Sequence, residues 1–75
     1  MKDLVEFLAK GLVANPEEVK VEEIPSGRQI VFELTVARGD VGKVIGKQGR
    51  TARALRSLLK VAATKQDQRA TLEIL

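Results

Sequence analysis

Apolar residues recur along this chain with two different periods, and the switches between them mark out the elements. Over residues 2–13, Leu4, Val5, Leu8 and Leu12 return every three or four positions, the period of a helix with one apolar face. Asp3 and Glu6 lie in its first turns, where the helix dipole favours acids. Asn15-Pro16 closes it, because the residue before proline is pushed out of the helical region. The period then shortens to two. Val19 and Val21 alternate with Lys20 and Glu22, the turn sequence Pro25-Ser26-Gly27 follows, and Ile30, Phe32, Leu34 and Val36 alternate with Val31, Glu33 and Thr35. Two adjacent strands joined by a short turn predict an antiparallel hairpin.

The helical period returns after residue 40. A short helical piece is expected at 40–45, a glycine-bounded break at 46–49, and a long helix from about Arg50 to Lys65, with Leu55, Leu58, Leu59 and Ala62 as its apolar face. Arg53, Arg56 and Lys60 form a stripe on the opposite side of that helix. A polar loop, Lys65-Gln66-Asp67-Gln68-Arg69, leads to a last strand in which Ala70, Leu72 and Ile74 alternate with Thr71 and Glu73. The predicted order is α-β-β-α-α-β, an α+β fold with helices packed on one face of a three-stranded sheet. Both aromatics, Phe7 and Phe32, fall on faces predicted to be core.

Length and composition narrow the chemistry. A chain of 75 residues makes one domain, 1–75, with a core that rarely supplies more than about 3–5 kcal/mol of net stability. Self-association is therefore expected, since a second buried apolar face would add to that margin. Cysteine and histidine are both absent. That removes disulfides, the commonest metal ligands and every Ser-His or Cys-His nucleophile pair, so neither an enzyme nor a metal site nor a cofactor is expected. The opening MKDLVEFLAKGLVANPEE is too short in apolar run and too acidic for a signal peptide or membrane span, so a cytoplasmic location is the expectation.

The net charge of +3 hides a strong asymmetry. Residues 1–27 hold three lysines against six acids, whereas residues 41–66 hold Lys43, Lys47, Arg50, Arg53, Arg56, Lys60 and Lys65 with no acid. A polyanion is the partner such a half would take.

The basic half also holds the chain's densest glycine stretch, DVGKVIGKQGRTARALR at 40–56. Its spacing fails for a nucleotide hydrolase: neither Gly39 nor Gly42 has a glycine five residues on, and Gln48 follows Lys47 where a magnesium-binding hydroxyl would be needed. The dinucleotide pattern Gly-x-Gly-x-x-Gly fails too, since the spacing here is Gly-x3-Gly-x2-Gly. What remains is Gly46-Lys47-Gln48-Gly49, a tight connection at the start of a long helix. Glycines let a sugar-phosphate approach without meeting a Cβ, and the unpaired amides of the following helix point into the same space. Lys47 and Gln48 can donate to phosphate from the tip, with Lys43 and Arg50 flanking. Such an arrangement suits a run of phosphates better than one triphosphate.

VIGKQGRTARALR resembles the signature of the KH domain, Ile-Gly-x-x-Gly followed by a helix. The extra helix and strand before the signature are similar to the type II KH arrangement, and the whole chain, including the opening VEFLAKGLVANPEEV, resembles the small bacterial single-KH RNA-binding proteins of the KhpA type. The resemblance implies that Gly46 to Gly49 clamps about four nucleotides of single-stranded RNA. It further implies that Val44 and Ile45 line an apolar floor for the bases, that Arg50 and Arg53 edge the groove, and that Leu72 or its neighbours wall its far side. Family context adds RNA rather than DNA, dimer formation, and pairing with a larger KH-containing protein of the KhpB type. Ala52, where related chains often carry a larger aliphatic, is expected to make the groove wider or shallower.

With no exposed aromatic expected for stacking, base specificity should be modest, and a role in post-transcriptional regulation or RNA chaperoning fits. Neutralising some three phosphates would give a log–log salt slope of roughly −2 on single strands. Two other readings stand beside this one. Val61, Leu59 and Ala63 exceed what one core stripe needs, which suits a dimerising adaptor that uses the fold as scaffold. A duplex-DNA reader is the weaker alternative, because the basic helix face carries no Asn or Gln for adenine edges.

Overall fold

The computed structural model describes all 75 residues. Helix α1 spans Lys2–Leu12, strands β1 and β2 span Lys20–Ser26 and Gln29–Thr35, helices α2 and α3 span Val41–Ile45 and Arg50–Lys65, and β3 spans Arg69–Ile74. Single 3-10 turns sit at Pro16–Glu18, Arg38–Asp40 and Lys47–Gly49. The α-β-β-α-α-β order and the three-stranded sheet are those read from the sequence.

The sheet order is β1-β2-β3. β1 and β2 form the antiparallel hairpin, with Val21 opposite Leu34 and Glu23 opposite Phe32. β3 pairs parallel to β2, Ile30 against Ala70 and Phe32 against Leu72. Parallel neighbours need a long crossover, and α2, the loop and α3 provide it. This topology leaves the outer edge of β3 free and lays α3 alongside it, which is what positions the basic half of the chain.

Period-two burial in β2 matches the reading of the sequence: Ile30, Phe32, Leu34 and, just beyond the strand, Val36 are buried, with Phe32 and Leu34 fully so. Fully burying a side chain of this size stabilises by about 1.5–3 kcal/mol. Val5, Ala9, Val44, Leu55, Leu59 and Leu72 close over them from the helices and β3.

The helical faces depart from the predicted ones. In α3 the buried set is Ala52, Leu55, Leu59 and Ala63, while Leu58 is 51% exposed. In α1 it is Val5 and Ala9, and Phe7, expected in the core, is 74% exposed. The cause is shared. Small alanines, which a hydrophobicity pattern weights lightly, let each helix sit close to the sheet, and the larger Phe7 and Leu58 are rotated off the contact line. Ala52 therefore shapes the core rather than any groove.

Candidate nucleic-acid interface

Between α2 and α3 the chain turns in four residues. Gly46 closes α2, its N–H donating to the Gly42 carbonyl at 2.8 Å, and Gly49 N–H donates to the Gly46 carbonyl at 3.1 Å. Gly46 (φ 75°, ψ 174°) and Gly49 (φ 75°, ψ 13°) both have positive φ. Gln48 is drawn into the left-handed region as well, at φ 57°. The two glycines are needed for different reasons. A Cβ on Gly46 would run into the Thr51 hydroxyl, with Thr51 Cβ at 2.7 Å, whereas a Cβ on Gly49 would meet open space.

No side chain caps α3; its first amide, Arg50 N–H, donates to the Lys47 carbonyl of the 3-10 turn before it. Arg53 Nη2 donates to the Gln48 carbonyl at 3.0 Å and braces the loop from the helix side. Arg50 Nη2 reaches Gln48 Oε1 at 3.5 Å. Gly46, Lys47, Gln48, Gly49, Arg50 and Arg53 are thus one cluster. Farther along, Arg56 Nε donates to the Leu72 carbonyl at 3.4 Å, on the free edge of β3.

The remaining candidates divide. Val44 is fully buried and belongs to the core, which leaves Ile45, 39% exposed, as the apolar side chain beside the loop. Leu72 is buried too, so β3 offers its backbone edge rather than that side chain as a wall. Lys43 is drawn back: its Nζ lies 3.2 Å from Asp40 Oδ1, the only ion pair in the molecule.

Asp40 is the residue that sequence reasoning missed. It is 1% exposed, and besides Lys43 it accepts from the Ala14 N–H at 3.3 Å, the Asn15 N–H at 3.0 Å and Asn15 Nδ2 at 3.1 Å. Burial alone would push its carboxyl up, but the hydrogen bonds from the Asn15 side chain, Lys43 and the two backbone amides outweigh that and hold it below the usual aspartate value. One carboxylate thereby ties the end of α1 to the start of α2.

At 3.6 residues per turn, α3 has three faces rather than two. Ala52, Leu55, Leu59 and Ala63 form the buried face. Arg53, Arg56 and Lys60 lie on one flank. On the other, Thr51, Ala54 and Leu58 join Phe7, Leu8 and Leu12 of α1 around an apolar groove of about 560 Å³. The basic stripe is therefore opposite the groove, not opposite the core.

Comparison with known proteins decides the family. The family model described as KhpA/KhpB, KH domain, matches residues 2–74. The chain belongs to the KhpA/KhpB family of KH domains. It is 53% identical to the RNA-binding protein KhpA of Halalkalibacterium halodurans, with 100% of this chain and 99% of that one covered. Identity is 51% to the RNA-binding protein KhpA of Clostridium acetobutylicum and 52% to that of Caldanaerobacter subterraneus subsp. tengcongensis, with both chains covered in full. No solved structure matched. No helix of this KhpA/KhpB-family chain is long and apolar enough to cross a membrane.

Proposed function

We propose that this chain, a single KH domain over 1–75, binds single-stranded RNA by clamping its backbone at Gly46-Lys47-Gln48-Gly49. The observation that carries the reading is the loop itself: three residues at positive φ beside the uncapped start of a 16-residue helix, with Arg50 and Arg53 fixed around them. Backbone amides and these side chains supply donors to successive phosphates, and Ile45 supplies apolar contact for a base. The relatives' common name, RNA-binding protein KhpA, supports RNA as the polymer. Contacts of this kind position a strand but read little sequence, so selectivity is low and the task is regulation or chaperoning of RNA after transcription, in the cytoplasm.

Fluorescence anisotropy with a labelled single-stranded RNA pool tests this, comparing the protein with its Lys47→Asp, Gln48→Asp double variant. The variant should fold, because aspartate tolerates the left-handed position at 48 and acids favour a helix N-terminus, and circular dichroism checks that it does. Its affinity should fall at least tenfold, and the wild-type log–log salt slope should be roughly −2. Equal binding by both proteins removes the clamp.

A second reading is favoured by the apolar groove. An exposed Phe7 next to a concave apolar surface gives one chain both a knob and a socket, the requirement for two-fold pairing of identical copies. The occupant is a second copy of this chain. A larger KH protein of the KhpB type, or an adaptor role without RNA, is then an outcome that binding assays distinguish.

A further inference from the structure

We propose that Asp40 withholds Lys43 from the RNA, so that the clamp takes phosphate with Lys47, Arg50 and Arg53 alone. This rests on the clamp reading of the loop and names which of its flanking cations serve it.

Position gives Lys43 the reach. It stands in α2 one helical turn before Gly46, whose N–H closes that helix on the Gly42 carbonyl. By sequence it is as good a phosphate ligand as Lys47. Their surroundings separate them. Lys47 makes no ion pair, and Arg50 and Arg53 hold only neutral acceptors, the side-chain and backbone oxygens of Gln48. Each of these cations can turn to a phosphate without stranding a charge. Lys43 cannot.

The Lys43 side chain is 51% exposed and that of Asp40 only 2%, so the pair joins a surface cation to a buried anion. Asp40 Oδ1 accepts from the Ala14 N–H and Lys43 Nζ, and Oδ2 from the Asn15 N–H and Nδ2. Burial opposes ionisation, but the hydrogen bonds from Asn15, Lys43 and Ala14 outweigh it, so Asp40 is an anion at neutral pH. Ala14 and Asn15 are neutral donors, which leaves Lys43 as the one charge that balances the buried carboxylate. Moving it to a phosphate would unbalance that carboxylate inside the fold. The phosphate gained would lie in water, where opposite charges attract weakly. The pair therefore stays shut, and being neutral it adds nothing to the pull on a strand. Asp40 in this way caps the affinity of one domain and favours release of the RNA.

Anisotropy with a uridylate 5-mer across a salt series counts the contacts, each worth about 0.7 in slope on single strands. An Asp40→Asn protein, read at a temperature where circular dichroism shows it folded, should have a slope steeper than wild type by about 0.7, because Lys43 is freed. Adding Lys43→Gln to it should restore the wild-type slope. An Asp40 that only stabilised the fold would weaken binding without steepening the slope. A folded Asp40→Asn protein with the wild-type slope overturns the proposal, and so does an Asp40→Asn, Lys43→Gln protein shallower than wild type, since Lys43 would already have been a contact. If Asp40→Asn does not fold at any temperature, NMR of isotope-labelled lysine side chains in wild type decides. On adding the 5-mer the Lys47 signal should move and the Lys43 signal should stay; a Lys43 signal that moves with that of Lys47 overturns the proposal. The clamp is judged separately, with the Lys47→Asp, Gln48→Asp protein. Loss of 5-mer binding there, beside any of the overturning results, sinks the withheld lysine and keeps the clamp; intact binding there sinks both.

Discussion

Gly46 and Gly49 are the same residue type in one loop, yet physical chemistry assigns them different costs. Alanine at Gly49 must adopt a left-handed conformation in open space, a penalty of about 1–2 kcal/mol. Alanine at Gly46 must adopt φ 75° with ψ 174°, a region left almost entirely to glycine, and must also displace Thr51. Urea denaturation should therefore rank Gly46→Ala as the more damaging by at least about 1 kcal/mol. Adding Thr51→Ala should recover only part of the loss, since the Cβ at 51 and the backbone strain both remain. Equal destabilisation at the two positions would show that Thr51 yields freely. The glycine spacing was legible in the sequence because glycine has few other uses at such a density. The asymmetry was not, since it depends on where Thr51 falls after one more turn of chain.

At the scale of elements, Pro25 and Ser26, expected in a turn, belong to β1 and leave the turn to Gly27-Arg28. The buried face of β2 was read correctly and the helical faces only in outline, for a physical reason. A strand has two faces, so alternation settles which is buried; β2 shows it from Ile30 to Val36. A helix can divide its circumference among three surroundings. α3 does so, and one apolar face drawn through Leu55, Leu58, Leu59 and Ala62 merged the core with the groove. Asp40 escaped notice because its partners Ala14 and Asn15 are 25 or 26 residues away. Its position between α1 and α2 carries a prediction. Its carboxyl titrates below the ordinary value in the folded chain, so the stability it contributes is fully present above about pH 3.9, the unfolded value, and is lost as pH falls through the folded one. An Asp40→Asn chain should melt well below wild type at pH 7, because an amide cannot accept at both oxygen positions. That gap should narrow at pH 3 and below. A gap independent of pH would mean that the neutral side chain holds Ala14 and Asn15 equally well.

Over the whole molecule, only 15 of 75 residues are buried, while Phe7, Leu58 and Val61 are each more than half exposed. A chain this small gains from covering them: each such side chain fully buried is worth about 1.5–3 kcal/mol, comparable with the net stability of the fold. Leu4 lies one turn from Phe7 and Val61 one turn from Leu58, so the exposed strip runs along both helices flanking the groove. It also faces away from the basic flank of α3. Two copies joined through it would keep both loops free and hold two RNA clamps on one assembly, raising the effective concentration of the second. Sedimentation equilibrium at micromolar concentration should give twice the chain mass for wild type. A Leu58→Asp, Val61→Asp variant should give the single mass, since neither position contributes to the monomer core and pairing would bury unpaired charge. The same variant should melt at a temperature independent of concentration, whereas wild type should not. On a 5-mer, which engages one loop, the two proteins should bind equally. On RNA long enough to span both loops, the variant should lose on the order of tenfold or more. A wild-type chain that stays monomeric while a larger KH protein captures it would assign the groove to that partner. A dimer that survives both aspartates would place the interface elsewhere on the surface.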